Sequence, residues 1–395
     1  MDFLVVVLGG DMNTYGVARA CFEEYHKKTI VIGKHPLYPT HPSHIIEGYY
    51  YDTILESDTL IKALKELDEK YPSYKKILFG NTDFYVEHIM TNREKIENIS
   101  NNYILPMVKL SMFKELFCKE TFYKLCEKYG LNYPKYQIFD FKNDEIDNYI
   151  VNFSYPIFIK PADTVIYSKY NFEGRQKGYK IESEEEFKKV ISNVKKSGFN
   201  DKFIVQEYIE CDDSSMYVFT AYVSKNHEVK VITAGNILMH DRTPELIGNY
   251  SAITNAYNQE LSLQIKKFLE QIKFTGICHF DVSYDIKRKK YYVFEMNIRQ
   301  GRSNFYTFAS GVNLVKEIVD DYIYDKNNKF YIANKKFTVS IIPKFLLKLC
   351  TNKKDIENFY RFSLASYDRH ILRYIYQLRW DYRIFKGFIK YNKKK

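Results

Sequence analysis

The 395-residue sequence lacks the features of membrane-spanning, secreted and zinc-stabilised proteins. It has no apolar run of about eighteen residues, the length that a membrane-spanning helix requires. Its start, MDFLVVVLGGD, has an acidic second residue and lacks the basic region and cleavage site of a signal peptide. The six cysteines are scattered, without a CxxC pair or metal-ligand spacing, which predicts free thiols in a reducing compartment. We therefore expect a cytoplasmic globular protein.

Positive charge is unevenly distributed along the chain, whose formal net charge is +10. Residues 335–395 contain 16 Lys and Arg against 4 Asp and Glu, a net charge of +12, so the rest of the chain sums to −2. No nucleic-acid-binding module and no broad basic face is recognisable, which argues against a nucleic-acid partner. The basic character belongs to the C-terminal extension.

The order of the apolar runs predicts an α/β domain at 1–107 followed by an α+β region at 108–334. The β-branched run Phe3–Leu8 is typical of a buried parallel strand, and a helical stretch, Val17–Tyr25, and a second strand, Thr29–Ile32, follow it. This alternation indicates a doubly wound parallel sheet. The second region mixes helices with strands of alternating polarity, which is typical of antiparallel sheets.

Two neighbouring strands are predicted to carry a cluster of metal ligands. Glu295, Asn297 and Arg299 are spaced two apart, so on a strand they share one face. Asp281 lies in an earlier strand of the same pattern, and a turn at Asp285–Lys290 would make the two strands adjacent. Hard oxygen ligands of this kind suit Mg²⁺ carrying nucleotide phosphates. The alternative is a solvated polar sheet face held by charge pairs.

Two lysines lie in settings that suit phosphate binding. Lys160 closes the apolar strand Tyr155–Pro161, and Lys119 opens the helix Lys119–Tyr129. A lysine at a strand end that faces a cleft neutralises phosphate charge as a point donor. For each lysine alone, an ordinary surface position is the alternative.

Two further segments could contact a nucleotide. The loop Tyr170–Lys180 contains two glycines and three basic residues, so it could fold over phosphates and offer backbone N–H donors. The strand Val205–Ile209, if it lacks a partner at its end, could present backbone groups to an adenine edge, and a nearby acid could take the ribose hydroxyls. By pattern alone, a hairpin tip and a half-buried strand are the alternatives.

In this order, the segments resemble the ATP-grasp superfamily of ligases. The resemblance is carried by CKETF at 118–122, YPIFIKPAD at 155–163, the loop at 170–180, VQEYIE at 205–210, FDV at 280–282 and FEMNIRQGRS at 294–303. It covers roughly residues 1–330, and its strength comes from the order of soft motifs. It implies an ATP-grasp domain at 108–334 with a lid around 155–210, and ATP and Mg²⁺ as cofactors.

The resemblance also implies roles for individual residues. The residues implied to bind the nucleotide are Lys119, Lys160, Gly174, Lys177, Gln206, Glu207, Ile209 and Asp213. Asp281, Glu295 and Asn297 would hold the metal. Arg299, Arg302 and Lys160 would be catalytic, by stabilising the phosphoryl group in transfer. The implied activity is activation of a carboxylate as an acyl phosphate, followed by attack of an amine.

Within the superfamily, the segments LGGDMNTYGVARA at 8–20 and EMNIRQGRSNFY at 295–306 are most similar to the D-aspartate ligase group. That similarity implies attachment of D-aspartate to the lysine side chain of a peptidoglycan precursor. Candidate substrate-holding residues are Asp11, Asn13, Asp83, Arg242 and Arg302. For the first two, a turn with a helix cap is the alternative. Another amide-forming ATP-grasp ligase and a non-catalytic nucleotide-binding protein stay open as alternative functions.

The extension at 335–395 is predicted to be helical, aromatic and basic. We expect a docked helix pair whose aromatic side chains complete the core and whose basic face is solvated, so that the protein does not bind anionic vesicles. The alternative is a peripheral surface for anionic lipid or a polyanionic precursor.

Overall fold

The computed structural model describes residues 2–211, 213–241, 249–301, 305–351 and 356–392. Among the described residues no disulfide joins any of the six cysteines, in agreement with the prediction of thiols. Among the described helices, none combines the length and the apolar character needed to cross a membrane.

A parallel sheet flanked by helices forms the N-terminal part. Its elements are β1 (Phe3–Leu8), α1 (Met12–Tyr25), β2 (Thr29–Gly33), β3 (Ile46–Tyr50), α2 (Ser57–Lys70), β4 (Lys75–Gly80), α3 (Asp83–Thr91), α4 (Arg93–Glu97) and β5 (Tyr103–Ile104). The strand order is β3-β2-β1-β4-β5. In β1, Val5 and Val7 pack into one core cluster and Val6 and Leu8 into another, so the strand is buried on both faces. The predicted parallel α/β fold is confirmed.

A smaller antiparallel sheet, the lid sheet, follows. The elements in this region are α5 (Leu110–Phe117), α6 (Lys119–Tyr129), β6 (Tyr136–Asp140), β7 (Ile157–Pro161), α7 (Thr164–Ser168), β8 (Tyr179–Ile181), α8 (Glu184–Lys196) and β9 (Lys202–Glu207). The strand order is β6-β9-β7-β8. Alternate residues of β7 and β9, among them Ile157, Ile159, Phe203 and Val205, pack against α8 in one core cluster. The opposite face of these two strands is therefore turned away from the core of the lid.

The third sheet is the largest and runs to the C-terminal part of the chain. Its region contains a 3₁₀ turn (Asp213–Ser215), β10 (Met216–Val223), β11 (Val229–His240), β12 (Tyr250–Ala256), α9 (Gln259–Gln271), β13 (Gly276–Asp285), β14 (Lys290–Asn297), α10 (Phe305–Ala309), α11 (Leu314–Tyr322), β15 (Tyr331–Ile332), β16 (Thr338–Ser340), α12 (Lys344–Cys350), β17 (Phe359–Arg361) and α13 (Ile371–Asn392). The strand order is β14-β13-β10-β11-β12-β16-β17, and β15 pairs with β11. The central pairs are antiparallel, as predicted.

The C-terminal extension is built into this large sheet. Strand β16 pairs antiparallel with β12, and β17 pairs in parallel with β16. The sheet therefore continues across residue 335, where the sequence predicted a domain boundary. That boundary stays a prediction.

A buried polar network ties the extension to the N-terminal part. The Asp368 carboxylate, which is fully buried, accepts hydrogen bonds from Tyr15 Oη (2.9 Å), Ser43 Oγ (2.8 Å) and the backbone N–H of His44 (2.7 Å). It also lies 3.3 Å from Nε of Arg373, whose guanidinium is stacked 4.0 Å above the ring of Tyr15. The Nη1 and Nη2 atoms of Arg373 donate to backbone oxygens of Pro39, Pro42 and Ser363, so both members of this buried charge pair have further polar partners.

The orientation of α13 corrects part of the expectation for the tail. The helix docks on the core, but the side chains that it buries are mainly polar: Arg373, Gln377 and Asp381, with Ile384. Trp380 is half-buried, and several apolar and aromatic side chains face solvent instead of completing the core. The charge pairs made by Arg373 and by Asp381 explain this orientation, because each is satisfied only when that face is inside.

Candidate active site

The two predicted ligand strands are adjacent and in the expected register. Strands β13 and β14 pair so that Asp281 lies opposite Glu295, and His279 opposite Asn297. Asn297 Nδ2 donates to Asp281 Oδ2 at 3.1 Å, which brings the two side chains onto one face. The intervening Met296 is buried on the other side, as the alternation of polar and apolar residues predicted.

Lys119 reaches this cluster from the first turn of α6. Its Nζ lies 3.0 Å from Glu295 Oε2. The charge of Lys119 lowers the pKa of Glu295, although burial acts to raise it. Burial acts to lower the pKa of Lys119, but the charge of Glu295, the hydrogen bond to it and the charges of other nearby carboxylates together outweigh burial and raise it. Glu295 keeps 44% of its side-chain area exposed, so a ligand can still reach its carboxylate.

Asp281 is held as an anion by its neighbours. Burial acts to raise its pKa, but His279, Tyr250 and the charge of Arg299 together outweigh burial and lower it. Tyr250 Oη donates to Asp281 Oδ1 at 2.5 Å, and His279 Nε2 lies 3.6 Å from the same oxygen. The other ring nitrogen of His279, Nδ1, is hydrogen-bonded to Thr220 Oγ1 at 2.9 Å, and this bond fixes the orientation of the imidazole beside Asp281.

Lys160 faces the cluster from the lid sheet. It lies opposite Ile204 in the β7–β9 register, on the face turned away from the lid core. Burial, and then the charge of Lys119, lower the pKa of Lys160 to about 7, and the charges of Glu295 and Asp281 act in the opposite direction. The two lysines and two carboxylates therefore meet between the lid and the large sheet.

The same lid face carries Gln206, which is 2% exposed. Its Oε1 is buried and has no hydrogen-bond partner in the part of the chain that the structure describes. An unpaired buried oxygen is costly unless a ligand or water meets it. The backbone of β9 is paired with β6 and β7 up to Gln206 and Glu207, so the part of the predicted strand Val205–Ile209 that is paired offers no free edge to an adenine. Only residues beyond Glu207 leave the ladder.

Glu207 and Ile209 have structural contacts of their own. The Glu207 carboxylate accepts from the backbone N–H of Lys135 at 2.9 Å and pairs with Arg288 at 2.7 Å. Ile209 is buried, with 3% exposure. Their predicted nucleotide contacts stay predictions, and Arg288 links the end of β9 to the β13–β14 hairpin.

Arg299 is bound to Asp83 across the boundary between the N-terminal part and the large sheet. Its Nε and Nη2 lie 2.7 and 2.8 Å from the two carboxylate oxygens of Asp83, a bidentate pair. Nη2 also donates to Asn297 Oδ1 at 3.3 Å. Arg299, predicted to be catalytic, and Asp83, predicted to hold substrate, thus form one ion pair beside the predicted metal ligands.

The other predicted substrate residues of the N-terminal part are engaged within the protein. Asp11 caps α1, its Oδ1 accepting from the backbone N–H of Thr14 at 3.0 Å. Asn13 is 1% exposed; its Nδ2 donates to the backbone oxygens of Asn81 and Gln300, and its Oδ1 accepts from Gln300 Nε2 at 2.9 Å. The contact of Asp11 matches the helix-cap alternative, whereas Asn13 makes long-range contacts that this alternative did not include. The substrate roles of both residues stay predictions.

Some predicted residues are only partly described or not described. Gly174 has a positive φ of 77° with open space around it, at the tip of the predicted loop, and Lys177 is exposed. For Asp213 only the backbone is described, at the start of the 3₁₀ turn. Arg242 and Arg302 lie outside the described residues.

A cleft of about 170 Å³ lies where these elements meet. Its lining includes Asp83, Lys119, Ala162, Glu295 and Asn297. Two carboxylates and an amide oxygen on one face are the hard ligands that Mg²⁺ prefers, and two lysines nearby can neutralise phosphate oxygens. The residues present therefore fit a magnesium-bound nucleotide.

Sequence reasoning missed residues of other elements that hold the predicted site residues in place: Tyr250 binds Asp281, and Arg288 binds Glu207. Tyr250 comes from β12 and Arg288 from a hairpin turn, and neither is part of a recognisable motif. The pairing of Asn13 with Gln300 joins residues 287 positions apart. Its only signal is that both lie in the segments similar to the D-aspartate ligase group.

Comparisons with known proteins agree with this geometry. The family described as "Carbamoyl-phosphate synthase L chain, ATP binding domain" matches residues 119–320. Among solved structures, an ADP complex of N5-carboxyaminoimidazole ribonucleotide synthetase has a TM-score of 0.61 at 14% identity, covering 85% of this chain and 80% of the other. The L-amino acid ligase from Bacillus licheniformis has a TM-score of 0.55 at 12% identity, with 81% and 74% covered. At these identities the likeness shows the fold alone.

Fold and site together define an ATP-dependent carboxylate–amine ligase of the ATP-grasp type. A D-aspartate ligase of Enterococcus faecium (strain Aus0004) is 35% identical over 333 residues, which are 82% of this chain and 78% of that protein. The chain belongs to the D-aspartate ligase family.

Proposed function

We propose that the protein activates the carboxylate of D-aspartate with ATP and Mg²⁺ and joins it to the lysine side-chain amine of a peptidoglycan precursor. The substrate follows the relative named as a D-aspartate ligase. The cytoplasm, where ATP is available, is the proposed location. One observation carries the proposal: Lys119, Lys160, Asp281 and Glu295 converge between two sheets although they come from four different elements.

The two lysines would bind the phosphates of ATP. In the nucleotide-free protein Lys119 is neutralised by Glu295, and the pKa of Lys160 is lowered to about 7 by burial and by the charge of Lys119. A polyanionic ligand would restore the charge of Lys160 and offset the repulsion between the two lysines. The loop around Gly174 and Lys177 would close over the phosphates.

Asp281, Glu295 and Asn297 would hold Mg²⁺, which would supply charge neutralisation at the transferred phosphoryl group. Tyr250 and His279 would keep Asp281 ionised and oriented for that purpose. Gln206, with its unpaired Oε1, would meet the nucleotide. Backbone groups beyond Glu207 would frame the adenine.

Arg299 would stabilise the negative charge that develops during transfer. Its guanidinium is positioned by Asp83, so its orientation is set before substrate binds. An arginine that is already fixed by this bidentate pair would need less reorientation during the reaction than a mobile arginine would. Transfer of the phosphoryl group makes the carboxylate an acyl phosphate, and the amine then displaces phosphate.

The substrate assignment is tested by a screen of amino acids. Phosphate release from ATP should require both an amino acid and an amine acceptor, and D-aspartate should exceed L-aspartate and other D-amino acids. Turnover with a different amino acid would reject D-aspartate as the substrate but would still support ligase activity. Nucleotide binding without any turnover would reject ligase activity.

The metal assignment is tested by isosteric amide substitutions. Asp281→Asn and Glu295→Gln should each lower kcat by at least about a hundredfold, since each removes one negative ligand. The exposed Glu260, on α9, offers a control, and Glu260→Gln should leave kcat unchanged. Circular dichroism should show the same fold in all three variants. Near-normal activity of either site variant would count against the cluster as the metal site.

A further inference from the structure

The outward face of α13 carries an apolar stripe. It consists of Ile371, Ile375, Leu378, Tyr382 and Ile389, whose exposed fractions are 70%, 42%, 69%, 66% and 39%. At 100° per residue these five positions fall within about 60° of one another, and they extend over about 27 Å of helix. An exposed continuous stripe of this kind marks an interaction surface.

The stripe cannot be buried by rotation of the helix. The opposite face is fixed by Arg373 and by Asp381, whose carboxylate accepts from Arg361 Nη2 at 2.7 Å and Gln377 Nε2 at 2.8 Å. Turning the stripe inward would leave these charges without partners. The outward direction of the stripe is therefore a built property of the fold.

Basic side chains lie beside the stripe. Arg379, Arg383 and Lys390 are on one flank, about 100° from its centre, and Lys386 lies between that flank and the stripe. The extension at 335–395 has a net charge of +12, whereas the rest of the chain sums to −2. The stripe therefore lies beside four basic side chains, in the part of the chain that carries the excess of positive charge.

Helix α12 repeats this combination. Phe345 and Leu349, four residues apart, are 64% and 70% exposed, and Lys344 and Lys348 are exposed beside them. The helix is attached through Leu347, which shares a core cluster with Ile384 of α13. Two neighbouring helices thus turn apolar and basic side chains to solvent.

In place of the expectation from the sequence that the protein does not bind anionic vesicles, we propose that α13 and α12 form a docking surface for the anionic phospholipid surface of a membrane. The apolar stripe would enter the boundary between headgroups and acyl chains, and the basic side chains would contact lipid phosphates. Because none of the described helices is able to span a bilayer, the helix would lie on the surface.

Charge decides between a lipid surface and a second copy of this chain. Two copies packed stripe to stripe would bring two extensions of net charge +12 together, and their repulsion would oppose the apolar gain. An anionic bilayer complements both the apolar and the charged part. The stripe contains none of the cleft residues, so the proposal does not depend on the identity of the substrate.

Sedimentation of the full-length protein with vesicles tests the proposal. The protein should pellet with vesicles containing about one-third phosphatidylglycerol in phosphatidylcholine at about 0.15 M salt, and only weakly with phosphatidylcholine alone. Binding should fall as the salt concentration rises. Failure to bind the anionic vesicles, or equal binding to both kinds, would overturn the proposal.

Two sets of substitutions separate the apolar and charged contributions. The triple variant Ile375→Ser, Leu378→Ser, Tyr382→Ser should lower vesicle affinity by at least about tenfold. Replacing Arg379, Lys386 and Lys390 with glutamine should lower it by about fivefold for each charge removed.

Exposed isoleucines elsewhere provide a matched control. Ile150 and Ile286 are 75% and 60% exposed, and their replacement by serine should leave vesicle binding unchanged. The stripe variant should keep its melting temperature and its ligase activity in solution. If the wild-type protein instead forms a dimer that the stripe variant abolishes, and does not bind vesicles, the stripe is an interface between copies and the lipid proposal is wrong.

Discussion

The substitution Lys160→Met should stabilise the nucleotide-free protein while removing its activity. Burial and the neighbouring Lys119 lower the pKa of Lys160 from 10.5 to about 7. Since one pKa unit is worth about 1.4 kcal/mol, this displacement corresponds to about 5 kcal/mol for holding the ammonium in this position. The side chain is only half-buried by area, and water in the cleft screens it, so we expect about half of that value.

The stability gained by Lys160→Met should depend on pH, and linkage gives the direction of that dependence. Between pH 7 and pH 10.5 the unfolded chain holds a proton on Lys160 that the folded protein has released, so stability of the wild-type protein rises with pH in that window. Methionine has no such dependence. The stabilisation by Lys160→Met should therefore be largest at and below pH 7 and should disappear near pH 10.5.

Thermal unfolding of the nucleotide-free protein from pH 6 to pH 10 measures the effect. The melting temperature of Lys160→Met should exceed that of the wild-type protein by a few degrees at pH 6, and the difference should shrink as the pH rises. Lys267→Met, at an exposed position of α9, should shift it little at any pH. ATP-dependent phosphate release should fall by at least about a hundredfold in the Lys160 variant only. A lower melting temperature, or a gain that is independent of pH, would refute the reasoning.

Three further substitutions test separate parts of the structure. Asp83→Asn should lower kcat more than it raises KM, because Arg299 loses the charge that orients it, and steady-state kinetics at saturating ATP would measure this. Arg373→Ala should cost about 3–5 kcal/mol of stability, because it leaves the buried Asp368 without its cation, and thermal denaturation would measure the loss. Gly80→Ala should cost about 1–3 kcal/mol, because the added Cβ would lie 2.6 Å from the backbone nitrogen of Val86; an unchanged melting temperature would contradict it.

Local periodicity was sufficient to predict the ligand strands. Alternation with a period of two placed Glu295 and Asn297 on one face and Asp281 on a neighbouring strand, and the register agrees. The helix Lys119–Tyr129 was also predicted with its observed bounds, because Gly130 ends it in a left-handed conformation.

Contacts between distant segments were beyond such reasoning. Asp83 and Arg299 are 216 positions apart, and no local pattern shows that each neutralises the other. For β9 the sequence could not reveal that a strand lies on each side of it. The expectation that the aromatic side chains of α13 complete the core was wrong in part, for a related reason: Trp380 and Phe388 pack against the core, but Tyr374, Tyr376 and Tyr382 are exposed. Periodicity finds the apolar face of a helix, but the charge partners of Arg373 and Asp381, which lie on other elements, decide which face is inside.

The network around Asp368 has a consequence for synthesis of the chain. Tyr15, which donates to this carboxylate, emerges from the ribosome 353 residues before its acceptor. Since domains generally fold as units during translation, the N-terminal sheet would wait with this hydroxyl unmatched until the last part of the polypeptide is released. Nascent chains stalled before residue 368 should therefore be more sensitive to protease around α1 than the finished protein is.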